Sequence, residues 1–163
     1  MSFPLISPKG RRGDFPPLKN RLPPGHPLAG RAIQAMASAP EIMIVDDDPQ
    51  VREALADFLG DQGFRVRDAV NGADALKQLR CLKALHALPA LLILDLAMPV
   101  MDGYQLMEKI QDDNTLSPMP ILVLSATINR EILPEYVTPL RKPVESHALV
   151  FAIRGILRGR YPS

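Results

Sequence analysis

Polar side chains that are able to do chemistry follow the apolar stretches of this sequence. They are Asp46, Asp47 and Asp48 after residues 42–45, Asp95 after 91–94, Ser125 after 121–124, and Lys142 after a last short stretch. Clustered carboxylates repel one another, so grouping them is costly unless a cation lies among them. Such oxygen ligands suit Mg²⁺, which keeps part of its water shell. A lysine and a hydroxyl beside them favour a phosphoryl group as a second ligand, because phosphoryl transfer depends on positioning and charge neutralisation.

Most of these residues have an ordinary structural interpretation when each is taken alone. Asp48 precedes a proline and is interpreted as a helix cap. Ser125 alone would satisfy a backbone group, and Lys142 alone would be a solvated surface residue. Asp95 is the hardest to explain in this way, because a carboxylate without a partner is costly to keep after four apolar residues. The combined pattern therefore predicts a site.

Short apolar runs alternate with helical periodicity about five times along the chain. Strands are predicted at 42–45, 64–67, 91–94, 121–124 and, with less support from the pattern, 136–140; helices are predicted after Asp48, from Asn71, at 103–111 and at 145–158. This order predicts an α/β fold with a parallel sheet covered by helices on both faces. Ligands bind such sheets at the carboxyl ends of the strands, which is where the polar residues fall.

Composition separates the chain into a leading segment and a globular part. The chain has 163 residues, and 8 of its 17 prolines lie in residues 1–40, together with six basic residues and one acidic residue. We therefore predict a disordered basic segment at 1–40, a domain at 41–158 and a short tail at 159–163. A start at Met36 is the alternative for the leading segment.

Cysteine content and hydropathy bear on compartment and on membrane association. Cys81 is the single cysteine, so no intramolecular disulfide can form. No apolar run reaches the roughly 18 residues that a membrane span needs, and prolines interrupt the N-terminus before a signal peptide can form. A cytoplasmic protein without a membrane partner is expected.

Residues 41–158 resemble the response-regulator receiver family. The matching stretches are residues 42–48 (IMIVDDD), 91–103 (LLILDLAMPVMDG), 121–126 (ILVLSA) and 141–143 (RKP). The resemblance implies a doubly wound, flavodoxin-like (CheY-like) fold with five parallel strands in the order 2-1-3-4-5.

The resemblance also implies a role for each candidate site residue. Asp95 would accept the phosphoryl group from a partner's phosphohistidine, and Lys142, followed by a cis peptide bond to Pro143, would pair with a phosphoryl oxygen. Ser125 would move to bind the phosphate. Mg²⁺ would be bound by Asp95, by Asp47, by Asp46 largely through water, and by the Ala97 backbone carbonyl.

Two features depart from the family pattern on the side that usually transmits the signal. Pro139 occupies the position of an aromatic switch residue, three residues before Lys142. Only 17 positions separate Ser125 from Lys142, and Pro134 interrupts that interval. We therefore predict a shortened fourth-helix region and a non-standard output surface.

These observations lead to one expected function and several alternatives. We expect a stand-alone response regulator that signals through protein contact, and that catalyses its own Mg²⁺-dependent phosphorylation and dephosphorylation without being an enzyme otherwise. Its partners would be a histidine kinase or phosphotransfer protein and a downstream protein; either a monomer or a dimer is compatible with the sequence. A phosphorylation-independent interaction module is the main alternative. Nucleic-acid binding by the basic segment is disfavoured by the acidic balance of residues 41–163, and no substrate pocket for a hydrolase is apparent.

Overall fold

The computed structural model of the protein describes residues 39–160, the side chain of residue 160 excepted. The strands are β1 (Glu41–Val45), β2 (Arg65–Ala69), β3 (Leu91–Asp95), β4 (Ile121–Ser125) and β5 (Val137–Arg141), and the helices are α1 (Pro49–Asp61), α2 (Gly72–Ala84), α3 (Gly103–Gln111) and α4 (Ser146–Arg160). The predicted disordered segment, apart from residues 39 and 40, and residues 161–163 of the predicted tail lie outside the described residues.

All five strands form one parallel sheet in the order β2-β1-β3-β4-β5. This confirms the predicted fold and strand order. Side chains alternate between the faces of β1, so that Met43 and Val45 pack against α2 and α3 while Ile42 and Ile44 pack against α1 and α4. The sheet is therefore buried on both faces, which explains why its central strands are continuous apolar runs.

A polar side chain caps the start of each of the first three helices. The side chains of Asp48, Asn71 and Asp102 accept hydrogen bonds from backbone amides in the first turns of α1, α2 and α3, respectively. Asp102 and Gln105 form a complete capping box at the start of α3. These caps fix the ends of the loops at the carboxyl edge of the sheet. The cap at Asp48 was predicted from the sequence, and it is confirmed.

The connection between β4 and β5 contains no helix. Residues 126–136 form bends and turns, and Leu133 packs against the core formed with α2 and α3. Pro139 lies within β5, which is an edge strand of the sheet, and such a strand tolerates a residue without a backbone N–H. The predicted shortening of the fourth-helix region is confirmed, and residues 126–136 contain no helix at all.

α4 continues to Arg160, two residues beyond the predicted end of the last helix. None of the helices in residues 39–160 combines the length and the apolar character needed to cross a bilayer.

Gly103 provides a test of how tightly α3 packs against β3. A Cβ atom at this position would lie 2.6 Å from the backbone oxygen of Asp95 and 2.9 Å from the Cα of Leu96. We expect Gly103→Ala to lower the free energy of unfolding by about 1–3 kcal/mol, since the backbone must shift to make room. Urea denaturation followed by circular dichroism measures this change.

Gly60→Ala in α1 is the matched control, because a Cβ there meets nothing within 4 Å. We expect it to be neutral or to stabilise by up to about 1 kcal/mol through helix propensity. Equal losses of stability in the two variants would contradict the packing described for α3.

Candidate phosphoacceptor site

The parallel sheet brings four of the candidate residues to one edge. Asp46 follows β1, Asp95 ends β3, Ser125 ends β4 and Lys142 follows β5. Asp46, Asp95 and Ser125 are the buried polar residues of the described chain, with exposed fractions of 4%, 9% and 4%. β1 and β3 are neighbours, with Val45 paired to Leu94, so the two buried carboxylates that follow this pair lie side by side.

Lys142 bridges the two buried carboxylates. Its Nζ donates to Asp95 Oδ1 at 2.8 Å and to Asp46 Oδ2 at 3.1 Å. Burial lowers the pKa of Lys142, but the hydrogen bond with Asp95 and the charges of both carboxylates outweigh burial and raise the pKa above its ordinary value. The lysine is therefore charged at neutral pH and compensates part of the negative charge.

Burial disfavours the charged form of the Asp46 carboxylate. Burial raises its pKa, while the backbone amide of Asp48 and the ammonium of Lys142 act in the opposite direction and only partly offset the rise. The Asp48 amide donates to Asp46 Oδ1 at 2.9 Å, and Arg52 Nη1 donates to the Asp46 backbone oxygen at 2.8 Å. Asp46 is thus held in place on three sides.

Asp95 is oriented by hydrogen bonds to both of its carboxylate oxygens. Oδ1 accepts from Lys142, and Oδ2 accepts from the backbone amide of Ala97 at 3.0 Å. In the residues that follow Asp95, the Gly103 amide donates to the Leu96 backbone oxygen at 3.0 Å and closes the loop between β3 and α3. The carboxylate therefore has a fixed direction at the end of its strand.

The loop after β5 is tied to the end of β4. The Lys142 amide donates to the Ser125 backbone oxygen at 2.9 Å, and the Lys142–Pro143 peptide bond is cis, as the resemblance implied. The Ser125 hydroxyl donates to the Thr127 backbone oxygen at 2.9 Å. Ser125 is thus at the predicted edge, but its hydroxyl is engaged with the β4–β5 loop.

A cleft of about 380 Å³ opens beside the ion pair. Its lining includes Asp46, Asp47, Asp95 and Lys142 on the polar side, and Val51, Ala54, Leu55, Leu124, Val144 and Leu149 on the apolar side. Asp47 and Ala97 are exposed, whereas Ser125 and Ala97 are not among the residues that line this cleft. The structure therefore groups Asp46, Asp47, Asp95 and Lys142 around one opening.

The donor set of this cleft fits a divalent cation that keeps much of its water shell. Four carboxylates, those of Asp46, Asp47, Asp48 and Asp95, and the ammonium of Lys142 leave a formal charge of −3 at neutral pH. In the described part of the chain, no three His, Cys, Asp or Glu side chains are grouped closely enough to hold a metal ion by themselves. Mg²⁺ suits such a site, because it binds through few carboxylates and retains waters.

Two supporting residues were not identified from the sequence. Arg52 lies on the first turns of α1, forms an ion pair with Asp68 at 3.2 Å and holds the Asp46 backbone. Gly103 permits close approach of α3 to β3. A glycine directly after an aspartate at the predicted start of a helix could have indicated the role of Gly103. No local sequence pattern indicates the contacts of Arg52.

Comparisons with known proteins agree with this geometry. A family model described as "Response regulator receiver domain" matches residues 42–154. Response regulator Rre1 of Synechocystis sp. is 35% identical over 128 residues, which cover 75% of this chain and 53% of that protein. The chain thus spans about half the length of this curated relative.

Solved structures extend the similarity to the fold. The signal receiver domain of a signal transduction histidine kinase from Syntrophus aciditrophicus is 26% identical with a TM-score of 0.67, covering 77% of this chain and 95% of that chain. Response regulator TrrA from Thermotoga maritima, solved in complex with Mg²⁺–BeF, is 27% identical with a TM-score of 0.62, covering 72% and 99% of the two chains.

Removal of the bridging ammonium tests the electrostatics of the site. We expect Lys142→Met to lower the free energy of unfolding by about 1–3 kcal/mol in Mg²⁺-free buffer, because two buried carboxylates lose their cation. The cost stays below that of a fully buried pair, since the Lys142 side chain is 31% exposed. Urea denaturation at neutral pH measures it.

A double-mutant cycle and a surface control isolate that contact. The same Lys142→Met change should cost less in an Asp95→Asn background, where one of the two charges is gone. Lys77→Met, at an exposed position on α2, should change stability by less than about 0.5 kcal/mol. Identical costs of Lys142→Met in the two backgrounds would show that the lysine and Asp95 do not interact.

Proposed function

The chain belongs to the response regulator receiver domain family of two-component signalling, and from this premise we propose that it accepts a phosphoryl group on Asp95 from a histidine kinase or a phosphotransfer protein. The observation that carries the proposal is the buried Asp95 carboxylate, which Lys142 Nζ holds at 2.8 Å beside an open cleft. The proposal concerns the domain within residues 39–160, whatever else the polypeptide carries.

Asp95 is suited to act as the nucleophile. In the transfer, a bond forms between an Asp95 carboxylate oxygen and phosphorus while the phosphorus–nitrogen bond of the donor's phosphohistidine breaks. The histidine keeps the electron pair of the broken bond, and the product is an acyl phosphate on Asp95. The hydrogen bonds from Lys142 and from the Ala97 amide fix the direction of the carboxylate for this attack. In slow hydrolysis, water attacks phosphorus and Asp95 leaves as the carboxylate.

Lys142 and Ser125 are proposed to bind the transferred group. The lysine ammonium already contacts Asp95 and supplies one positive charge for the phosphoryl oxygens. Ser125 lies one strand away, and its hydroxyl must leave the Thr127 backbone oxygen before it can donate to phosphate. That exchange of partners would couple phosphorylation to residues 126–136.

Mg²⁺ is the proposed cofactor of this site. We propose that Asp47, Asp95 and the Ala97 backbone carbonyl hold it directly and that Asp46 holds it through water. When bound, the cation neutralises the charge of the site and of the incoming phosphate. The formal charge of −3 in the cleft and the Mg²⁺–BeF complex of the similar TrrA support this assignment.

Output is proposed to occur through contact with another protein. The β4–β5 connection and the edge strand β5 are the elements that Ser125 and Lys142 touch directly. Ile132 and Tyr136 are large apolar side chains exposed on that connection. A partner that recognises this surface would contact a loop where a helix is expected, so we propose a recognition mode specific to this chain.

The proposal predicts phosphorylation by a small-molecule donor. Incubation with acetyl phosphate and Mg²⁺ should add one phosphoryl group to the wild-type protein, as measured by intact-protein mass spectrometry. Asp95→Asn should abolish the adduct, because an amide oxygen is a poor nucleophile, and chelation of Mg²⁺ should do the same for the wild type.

Asp48→Asn is the matched control for this experiment. Asp48 lies beside the same cleft, but its side chain caps α1, and asparagine caps a helix equally well. This variant should retain the adduct. Failure of the wild type under conditions that phosphorylate another receiver, or an adduct that persists in Asp95→Asn, would contradict the proposal.

A phosphorylation-independent interaction module is the second candidate function. The observation that favours it is the β4–β5 connection, which lacks a helix and is followed by Pro139 in place of an aromatic residue. In that case the receiver fold would present its binding surface without a switch.

Hydrogen–deuterium exchange separates the two candidates. With acetyl phosphate and Mg²⁺, a switching receiver should change its exchange in residues 126–141, because Ser125 and Lys142 touch both ends of that segment. Asp95→Asn treated identically provides the baseline. A fully phosphorylated wild type whose exchange in 126–141 equals that baseline would favour the second candidate.

A further inference from the structure

A small pocket lies at the amino edge of the sheet, at the opposite end of the strands from the acidic cleft. It has a volume of about 250 Å³, and charged residues of β1 and β2 line it together with apolar residues from the end of α2 and the loop that follows. The lining of this amino-edge pocket includes Glu41, Arg65, Arg67, Leu82, Ala87 and Leu88. None of its lining residues also lines the acidic cleft, so the pocket has no part in the proposed phosphoacceptor site.

Three charged side chains of the pocket share one set of contacts. Glu41 and Arg65 are paired across β1 and β2, and Arg67 follows on the same face of β2. Glu41 Oε1 accepts from Arg65 Nη2 at 3.1 Å and from Arg67 Nη2 at 3.3 Å. Two guanidinium groups thus share one carboxylate, which leaves the pocket with a formal charge of +1.

Arg67 carries a hydrogen-bond donor that its surroundings do not satisfy. Its Nε is enclosed and finds no hydrogen-bond partner within residues 39–160. An enclosed donor without an acceptor is costly, and folded proteins satisfy nearly all such groups. Nε and Nη2 lie on the same edge of a guanidinium group, and this edge is able to bind a carboxylate through both nitrogens. Glu41 occupies only the Nη2 position, so half of the edge is unused.

Apolar side chains complete the lining of the pocket. Leu82 is buried near the end of α2, and Leu88 packs against the same core from the following loop. The Ala87 amide donates to the Leu82 backbone oxygen at 2.9 Å and holds this loop in place, while Ala87 itself is exposed. A ligand that fits the pocket therefore combines an acceptor group with a short apolar part.

We propose that the amino-edge pocket binds a small organic monocarboxylate, whose carboxylate group accepts hydrogen bonds from Arg65 and Arg67. The apolar part of the ligand lies against Leu82 and Leu88. A turn of the Arg67 side chain, which is 37% exposed, brings Nε to one of the incoming oxygens. The ligand thereby supplies the acceptor that Nε lacks.

Charge and size favour this class of ligand over other occupants. One carboxylate neutralises the formal charge of +1, whereas a phosphate dianion would leave −1. The pocket is smaller than the roughly 300–1,000 Å³ that is usual for drug-sized ligands, so a chain of a few carbons suits it. The protein's own residues 1–40 hold six basic residues and one acidic residue, which does not match a basic pocket.

An NMR titration of the full ¹⁵N-labelled chain with sodium butyrate at constant ionic strength tests this proposal. The backbone amide signals of residues 65–67, 82 and 87–88 should shift and saturate. The Nε–H signal of Arg67 should move downfield, because that donor gains an acceptor. Butyramide has nearly the same shape without the charge, and it should leave these signals in place.

Three variants identify the pocket as the site of binding. Arg65→Gln and Arg67→Gln should each raise the dissociation constant for butyrate at least about tenfold, because each removes a charge-assisted hydrogen bond. Ala87→Phe keeps all three charged groups and fills the pocket from an exposed position, so it should block binding in a chain that folds normally.

Arg80→Gln is the matched control for the arginine variants. Arg80 is exposed on α2 and does not line the pocket, so this variant should bind butyrate like the wild type. Circular dichroism establishes that each variant is folded.

Four results would overturn the proposal. They are a wild type without saturable shifts, equal shifts with butyramide, saturation of the same signals by inorganic phosphate but not by butyrate, and an Arg80→Gln variant that loses as much affinity as Arg67→Gln. The pocket proposal goes beyond the phosphoacceptor function and does not depend on it. Labelling of Asp95 by acetyl phosphate is read separately by mass, so failure of either proposal leaves the other testable.

Discussion

Two carboxylates from neighbouring strands lie side by side at the edge of the sheet, and one ammonium group bridges them. Asp46 and Asp95 reach this position because β1 and β3 pair in register, and Lys142 reaches it from the loop after β5, 2.8 Å from Asp95. Burying two negative charges is costly unless a cation compensates them. The strand order and the hydrogen bond from the Lys142 amide to the Ser125 backbone oxygen place the loop after β5 so that the ammonium group compensates both carboxylates.

The proposed chemistry and the proposed readout involve different segments of this molecule. The groups that would receive and bind a phosphoryl group are held by backbone hydrogen bonds of the sheet edge, such as the bond from the Ala97 amide to Asp95. The segment that would report the event, residues 126–136, is connected to them through the Ser125 hydroxyl and the backbone of Lys142. The segment without a helix therefore touches the site through Ser125, while the contacts among Asp46, Asp95 and Lys142 are made outside it.

Fold and site position were predictable because local signals agree with the global structure. Apolar runs of four residues predicted the central strands, and Asp48 and Asn71 cap the first two helices at the expected places. The bridge from Lys142 to both carboxylates was not predictable, since it joins residues 47 and 96 positions apart. The conformation of residues 126–136 also escaped prediction, because turns depend on tertiary contacts such as that of Leu133 with the core.

A crystal structure of the protein with Mg²⁺ and beryllofluoride would distinguish a phosphoacceptor site from a purely structural ion pair. We expect beryllofluoride on an Asp95 carboxylate oxygen, in contact with Lys142 Nζ and the Ser125 hydroxyl. The hydrogen bond from Ser125 to the Thr127 carbonyl should be broken. Lys142 still bridging Asp46 and Asp95, with beryllofluoride absent from Asp95 at saturating concentrations, would contradict it. The ion pair would then be a structural feature of the sheet edge and not a phosphoacceptor site.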